Sequence, residues 1–299
     1  MALLHITEAV VVTPDVAGSA RFCQEALGFE VLERSPRGAG LGAPSAARSV
    51  LLAAAGSPSG RLRLVQGDPP TPLPLDSKDL PALWDLGPRL FGLYSRSLQA
   101  TVAAVEAAGG TAGPIVAYPY GAGEMREIVA RGPEGIWWTI PEAPGSRQPS
   151  PALDADPSRL HSELHSTVLV VEDHDAALRF FAEGGGMTVL FDGPMAGELF
   201  ERLVGMPPGA ALRLSFLVGR GRGPARLEIM SFTGVSGADR RASPWGIRRL
   251  VVAADDPPAT AAALQAAGAR PGPAPGVLVG PAEVEICLVG PPGGQGSSS

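Results

Sequence analysis

Four segments of the chain share one pattern of apolar and polar positions. Each opens with a short apolar run rich in β-branched residues, passes through a turn with a polar residue, and enters an Ala-rich stretch that ends at a glycine. In the first segment Val16, Ala20, Cys23 and Leu27 recur at helical spacing, so they fall on one helix face. The four apolar runs are AVVVT (9–13), FGLYS (91–95), TVLVV (167–171) and RLVVA (249–253).

Further short apolar runs follow each glycine. In the first segment they read GFEVLER, ARSVLLAAA and RLRLVQ, and in the fourth they are compressed to GVLVG and EVEICLVG. Each run has the length and residue types of a β-strand. The pattern therefore predicts a βαβββ module, written four times.

The modules repeat at a constant separation. Asp15 and Asp173 lie 158 residues apart, and so do the helix-ending glycines Gly28 and Gly186. The corresponding glycines of the other two modules, Gly109 and Gly268, lie 159 apart. A fixed period outranks local propensity as a signal, so the chain is interpreted as two related halves of two modules each.

A segment rich in Pro, Ser and Asp separates the halves. It reads EAPGSRQPSPALDADPSR and spans residues 142–159, a composition typical of a linker. We therefore predict one domain over residues 1–145, a linker over 146–159, a second domain over 160–291 and a disordered tail over 292–299.

Composition narrows the possible partners and the compartment. The net charge of −6 argues against nucleic acid and anionic membrane surfaces. No apolar run is long enough to span a bilayer, and the N-terminus lacks the basic start of a signal peptide. The two cysteines indicate no disulfide framework. We therefore expect a cytoplasmic protein.

The module pattern resembles the vicinal oxygen chelate superfamily, which includes glyoxalases, bleomycin-resistance proteins and extradiol dioxygenases. The segments that carry the resemblance are DVAGSARFCQEALGFEVLER, EDHDAALRFFAEGGGMTVLFD and RGPEGIWWTIPE. The resemblance implies an α+β fold in which four βαβββ modules pair into two glyoxalase-like domains with cupped mixed sheets. It also implies a monomer with internal domain pairing or a homodimer.

In metal-dependent relatives, the first and last strands of the modules supply His, Glu or Gln ligands to a cupped cavity. The corresponding positions in the first predicted domain carry Glu8, Arg63, Leu90 and Thr139. These four do not make a metal site, so Glu8 and Arg63 are expected to form an ion pair or to meet a polar ligand.

The corresponding positions in the second predicted domain carry Ser166, Glu228, Arg249 and Cys287. Among them, Glu228 alone is a usual ligand type. His165 lies one residue out of register, and strand alternation sends neighbouring side chains to opposite faces unless a bulge intervenes. Glu285 shares a strand face with Cys287, which leaves a metal set of His165, Glu228 and Glu285 as the alternative.

The other candidates are aromatic and imidazole side chains. Trp138 is a candidate wall of a cavity for a flat ligand. His161, near the linker, is expected at the surface, and His174, at a helix start, is expected to be solvated or to cap the helix. The chain has four histidines, a number that does not favour an acid–base mechanism based on histidine.

Two functional hypotheses follow. The first is a metal-free binding protein without a cofactor, holding a small hydrophobic or aromatic metabolite near Arg63, Thr139, Ser166, Arg249 and Cys287. The second is a lyase, isomerase, cyclase or dioxygenase acting on such a metabolite. It would use either a divalent metal (Fe, Mn, Ni or Zn) in the second domain or one of Glu8, Glu228 and Glu285 as a base.

Overall fold

The computed structural model describes residues 1–35, 48–67, 80–133, 135–142, 149–220 and 226–291. Four modules follow one another along the chain, as predicted. The first contains β1 (Leu3–Thr13), α1 (Val16–Glu25), β2 (Glu30–Ser35), β3 (Ser49–Ala53) and β4 (Arg61–Gln66). The second contains β5 (Gly87–Gly92), α2 (Leu98–Ala107), β6 (Thr111–Ala112), β7 (Val116–Tyr120), β8 (Gly123–Arg131) and β9 (Trp137–Pro141).

A short helix, α3 (Pro151–Ala155), precedes the third module. That module contains β10 (Ser166–Val170), α4 (His174–Arg179) with a π-helical turn (Phe180–Gly184), β11 (Thr188–Ala196), α5 (Glu198–Val204), β12 (Ala211–Val218) and β13 (Arg226–Thr233). The fourth contains β14 (Gly246–Ala254), α6 (Pro257–Ala266), β15 (Arg270–Pro271), β16 (Val277–Val279), a 3₁₀ turn (Pro281–Glu283) and β17 (Glu285–Val289).

The first helix of every module begins with the same kind of cap. The polar residue of each predicted turn accepts a hydrogen bond from the backbone N–H three residues later, which satisfies a donor that has no partner within the helix. The four capping residues are Asp15, Ser97, Asp173 and Asp256. Gly28, Gly109, Gly186 and Gly268 follow the helices with φ between +64° and +107°. The predicted role of these glycines is therefore confirmed.

The modules pair across the predicted domain boundary. The first sheet has the order β15-β16-β17-β14-β1-β4-β3-β2, so it joins the fourth module to the first. The second sheet has the order β11-β12-β13-β10-β5-β9-β8-β6, with β7 paired to β8, so it joins the third module to the second. The joins are antiparallel pairs, β1 with β14 and β5 with β10. Two curled mixed sheets form, as predicted.

The predicted ranges 1–145 and 160–291 therefore do not each close a sheet of their own. The repeat spacing identifies the modules. It does not predict which modules pair, because the first strands of all four modules are similarly apolar. The predicted tail, 292–299, lies outside the described residues.

The described part of the predicted linker is packed against the protein. Residues 149–159 include α3, which Ser150 caps. The carboxylate of the buried Glu163 accepts hydrogen bonds from Ser150 Oγ at 3.0 Å and from the backbone N–H of Ala152 at 3.1 Å. This segment is therefore a packed part of the connection between β9 and β10, two strands of the second sheet.

Strand alternation gives each sheet two different faces. In β10, Leu169 joins the main core, which lies between the sheets and the helices, while Val168 and Val170 join a second apolar cluster on the other face of the second sheet. That second face carries a cavity. Within the described residues, no helix has the length and apolar character needed to cross a membrane.

Candidate functional site

The concave face of the second sheet encloses a cavity of about 680 Å³, called here the sheet cavity. Its walls come from β5, β8, β9, β10, β12 and β13, and α5 covers one side with Phe200, Leu203 and Val204. Exposed apolar side chains at its mouth include Tyr120, Leu190 and Phe191. The sheet cavity is thus a mainly apolar cup with an apolar rim.

Polar side chains meet on the floor of this cup. Thr139 on β9 and Ser166 at the start of β10 both pair in register with Gly92, which lies between them on β5. A Cβ at Gly92 would lie 2.2 Å from Ser166 Oγ, so a side chain at this position would displace the Ser166 hydroxyl. Within the described residues, Ser166 Oγ is buried and has no hydrogen-bond partner.

Glu127 on β8 is the buried carboxyl group of the floor. Tyr118 and Thr139 donate hydrogen bonds to its two oxygens. Burial raises the pKa of Glu127, while the bonds from Thr139 and Tyr118 oppose that shift and nearby Glu228 adds to it. Burial and Glu127 in turn raise the pKa of Tyr118. The carboxyl group therefore resists ionisation more than an exposed glutamate does.

A buried ion pair lies on β13, the strand next to β10. Arg226 Nε donates to Glu228 Oε1 at 3.2 Å, and the guanidinium carbon lies 4.4 Å from the ring centre of Phe216. His165 also lines the sheet cavity, with its ring 4.1 Å from that of Tyr94. Because His165 lies just before β10, strand alternation does not force it away from the cavity.

The second-sheet residues do not fit a divalent metal. The four positions that the family resemblance marks for ligands carry Leu90, Thr139, Ser166 and Glu228, and the one carboxylate among them is bonded to Arg226. Metals of this class prefer imidazole and carboxylate ligands. In the described ranges, no three His, Cys, Asp or Glu side chains cluster in a way that could hold a metal.

The first sheet brings together the other predicted residues. Arg63 Nε lies 2.6 Å from Glu8 Oε1, so the expected ion pair is present. Arg249 Nε donates to Glu285 Oε2 at 2.8 Å, and Arg248 bonds the other oxygen. These carboxylates and cations largely satisfy one another. Burial raises the pKa of the neighbouring Cys287 thiol, which disfavours the thiolate.

Several sequence-based expectations are wrong. Trp138 is fully buried and packs on Phe91 at 5.3 Å between ring centres, in the main core and away from the cavity. The alternative metal set is divided, because Glu285 lies in the first sheet while His165 and Glu228 lie in the second.

His161 and His174 are also buried, and Asp173, not His174, caps α4. His161 hydrogen-bonds Thr101 at 2.7 Å, and His174 bridges Ser215 and Ser231 at 2.7 and 2.9 Å. Sequence spacing could not show the elements that cover them.

Sequence reasoning missed Glu127, Arg226 and α5. Met125, Glu127 and Val129 lie two residues apart along β8, so their side chains point to the same face of the strand. Arg226 belongs to the basic run 220–226, which suggests a loop, yet it is the first residue of β13. Phe200, Leu203 and Val204 have the spacing of an apolar helix face, and Gly205 ends that helix in the left-handed region.

Known proteins identify the class of fold. Residues 2–140 match the family described as Glyoxalase/Bleomycin resistance protein/Dioxygenase superfamily, and this part of the chain is identified as a member of that superfamily. No curated protein matches the sequence.

Solved structures extend the fold to the whole chain. Glyoxalase I from Zea mays is 17% identical, with a TM-score of 0.63, over 96% of this chain and 92% of the other. A point mutant of the same enzyme is 16% identical, with a TM-score of 0.64, over 96% and 92%. A candidate dioxygenase from Bacillus subtilis is 10% identical, with a TM-score of 0.64, over 97% and 86%. At these identities the likeness concerns fold alone.

Proposed function

We propose that this protein binds a small hydrophobic or aromatic molecule in the sheet cavity, without a metal. The observation that carries the proposal is the cavity itself. Its volume of about 680 Å³ falls within the roughly 300–1,000 Å³ of small-molecule sites, which combine apolar walls with a few convergent polar groups.

The arrangement of the walls suggests the orientation of the ligand. Phe191, Phe200 and Phe216 line the cup around its body, whereas Ser166 and Arg226 lie at its floor. A ring system would contact the phenylalanines, and a hydroxyl or carbonyl oxygen on it would reach the floor. Such a ligand would satisfy the Ser166 hydroxyl, which is costly to bury without a partner.

A thermal-shift screen against mono- and polycyclic phenols and quinones tests the proposal. A ligand that binds only the folded state stabilises it by about 2.7 kcal/mol at a hundred times its Kd. Met125 lines the cavity, so Met125→Trp should abolish the shift by filling it. Leu32→Trp, at a residue that is 56% exposed and outside the cavity, is the matched control and should retain it.

Two outcomes would contradict metal-free binding in the sheet cavity. One is a shift that Met125→Trp leaves intact, because the ligand would then bind elsewhere. The other is stoichiometric Fe, Mn, Ni or Zn in protein purified without a histidine tag.

A second candidate function is metal-free catalysis in the same cavity. The observation that favours it is the position of the buried Glu127 and Glu228 carboxyl groups on the cavity wall, because a proton-transfer group must lie within reach of the bound molecule. Glu127 or Glu228 would remove a proton from the bound aromatic molecule.

Product analysis separates binding from catalysis. Wild-type protein is incubated with a ligand from the screen, and the ligand is then recovered and analysed by mass spectrometry and NMR. An altered ligand whose formation is lost in Glu127→Gln or Glu228→Gln, with binding retained, would favour the enzyme. An unchanged ligand favours the binding protein.

A further inference from the structure

A second cavity lies where the two sheets meet and shares no wall residue with the sheet cavity. Its volume is about 510 Å³. Its walls come from the start of β5, the turn before β9 and the segment 239–247 that leads into β14. It is called here the junction cavity, and the residues used below are Pro81, Arg89, Ile136, Arg240, Pro244 and Trp245.

Arg89 is the buried cation of the junction cavity, with 7% of its surface exposed. It lies at a β-bulge, where Leu90 and Pro88 of β5 pair with consecutive residues of β10. Arg89 Nη2 makes two long hydrogen bonds, each 3.4 Å, to the carbonyl oxygens of Leu86 and Arg240. Its Nε is buried and has no hydrogen-bond partner in the described part of the chain.

The carboxylates near Arg89 are already engaged with other groups. Asp85 bonds Arg240 at 3.3 Å and accepts hydrogen bonds from the backbone N–H groups of Ala82 and Ala238. Asp239 bonds Arg241 at 2.6 Å. Over the described ranges, no carboxylate lies within ion-pair distance of Arg89. Within the described residues, Arg89 is therefore a cation of the junction cavity without an ion-pair partner of its own.

A buried cation without an anion is unfavourable, and proteins normally pair such groups. Burial lowers the pKa of Arg89 to about 10, an effect that Asp85 opposes and Arg240 reinforces. The guanidinium is still charged at neutral pH, so it cannot relieve the penalty by losing its proton. An anion from solution, bound in the junction cavity beside the guanidinium, would offset this charge.

We propose that the junction cavity binds a small organic monocarboxylate whose carboxylate pairs with Arg89 and whose apolar or aromatic body contacts Pro81, Ile136, Pro244 and Trp245. The fork of a guanidinium matches the two oxygens of a carboxylate. The prolines, Ile136 and Trp245 favour an apolar body over a fully hydrated anion. A phosphate dianion would require a second unpaired cation, whereas Arg240 is already bonded to Asp85.

Calorimetric titration of the full chain with benzoate tests this site. We expect saturable binding of one benzoate, and benzamide, its neutral analogue, should bind at least about tenfold more weakly because it lacks the charge. Arg89→Met should weaken benzoate binding by a similar factor. Arg220→Met is the matched control, since Arg220 is exposed and lies outside the cavity. Met125→Trp, in the sheet cavity, should also leave benzoate binding unchanged.

A second measurement does not require Arg89→Met to fold. Trp245 is the one tryptophan among the residues that line the junction cavity. Benzoate should therefore change the intrinsic fluorescence of the wild-type protein, and Trp245→Phe should lose that change.

Three results would overturn the proposal. They are the absence of saturable benzoate binding, benzoate binding unaffected by Arg89→Met, and competition by inorganic phosphate at equal or higher affinity. Because the junction cavity shares no residue with the sheet cavity, these outcomes leave the proposed aromatic-ligand function untouched.

Discussion

Glu127 shows how position within the cup changes an ordinary side chain. Its carboxyl group sits on an apolar strand, and Tyr118 and Thr139 satisfy its oxygens without adding a full positive charge. Burial therefore prevails, and the pKa of the carboxyl group rises. A raised pKa means that folding favours the protonated form, which links the stability of the protein to pH.

The first prediction concerns this linkage. Because the folded pKa of Glu127 exceeds the unfolded value of about 4.3, stability is lost as the pH rises from the unfolded pKa through the folded one. The slope can reach about 1.4 kcal/mol per pH unit. Glu127→Gln carries no titrating proton, so its stability relative to wild type should increase between pH 4 and pH 8. Urea unfolding at several pH values measures this difference.

Glu124→Gln is the matched control for that prediction, because Glu124 is exposed on the same strand. It should follow the pH dependence of the wild type. A Glu127→Gln profile parallel to that of the wild type would contradict the proposed burial effect.

The second prediction concerns His161, for which the pH dependence of stability has the opposite sign. Burial and the nearby Arg159 lower its pKa to about 4, below the unfolded value of about 6.5. The stabilisation is present above pH 6.5 and is lost as the pH falls through 6.5 towards 4, by an amount on the order of 3 kcal/mol. His161→Gln should show a flatter acid unfolding profile, measured by circular dichroism. Equal acid sensitivity in both proteins would contradict this prediction.

At the scale of elements, the first helix of each module begins with an equivalent side-chain cap and is followed by a glycine. These features come from residues within a few positions of one another, so the sequence alone could predict them. The exceptions are α5 and the packed α3, which lie in segments outside the repeated pattern.

The third prediction tests one helix cap. Asp173 accepts a hydrogen bond from Ala176 N at 2.9 Å at the start of α4. Asp173→Ala should lower the free energy of unfolding by about 1 kcal/mol, since the donor loses its partner. Asp173→Asn, whose side-chain oxygen can still accept the bond, should retain most of the stability. Equal losses in the two variants, measured by urea unfolding, would show that the cap is not the cause.

At the scale of the whole molecule, each sheet contains one module from each half of the sequence. The halves are therefore joined by two central strand pairs, β1 with β14 and β5 with β10. If the halves are separated, these central strands become open edges, and open edges promote association.

The fourth prediction follows from this interlocked pairing. Residues 1–148 and 149–299, expressed separately, should aggregate or self-associate, whereas co-expression should yield a one-to-one complex. The intact chain should remain a monomer because both sheets are completed within it. Size-exclusion chromatography with light scattering measures all three. Two halves that fold independently as stable monomers would contradict the pairing.

The sequence predicts only part of the candidate site. Thr139, Ser166 and Glu228 were predicted as site residues, and the structure places all three in one cavity. The sequence assigned Thr139 to a different domain from the other two, because linear distance suggested a boundary between them. Trp138 was assigned to the wrong face of its strand. Adjacent residues of a strand point to opposite faces, and the sequence does not show which face the rest of the protein covers.

The sequence by itself determined the four modules, their helix caps, their glycine turns and the family resemblance. All of these depend on periodicity and turn chemistry within a short stretch of chain. Only the tertiary structure decided which modules share a sheet, and therefore that Glu127 meets Thr139 and that Arg89 lacks an anion. These outcomes depend on packing between residues far apart in sequence, where similar strand edges compete and local pattern gives no preference.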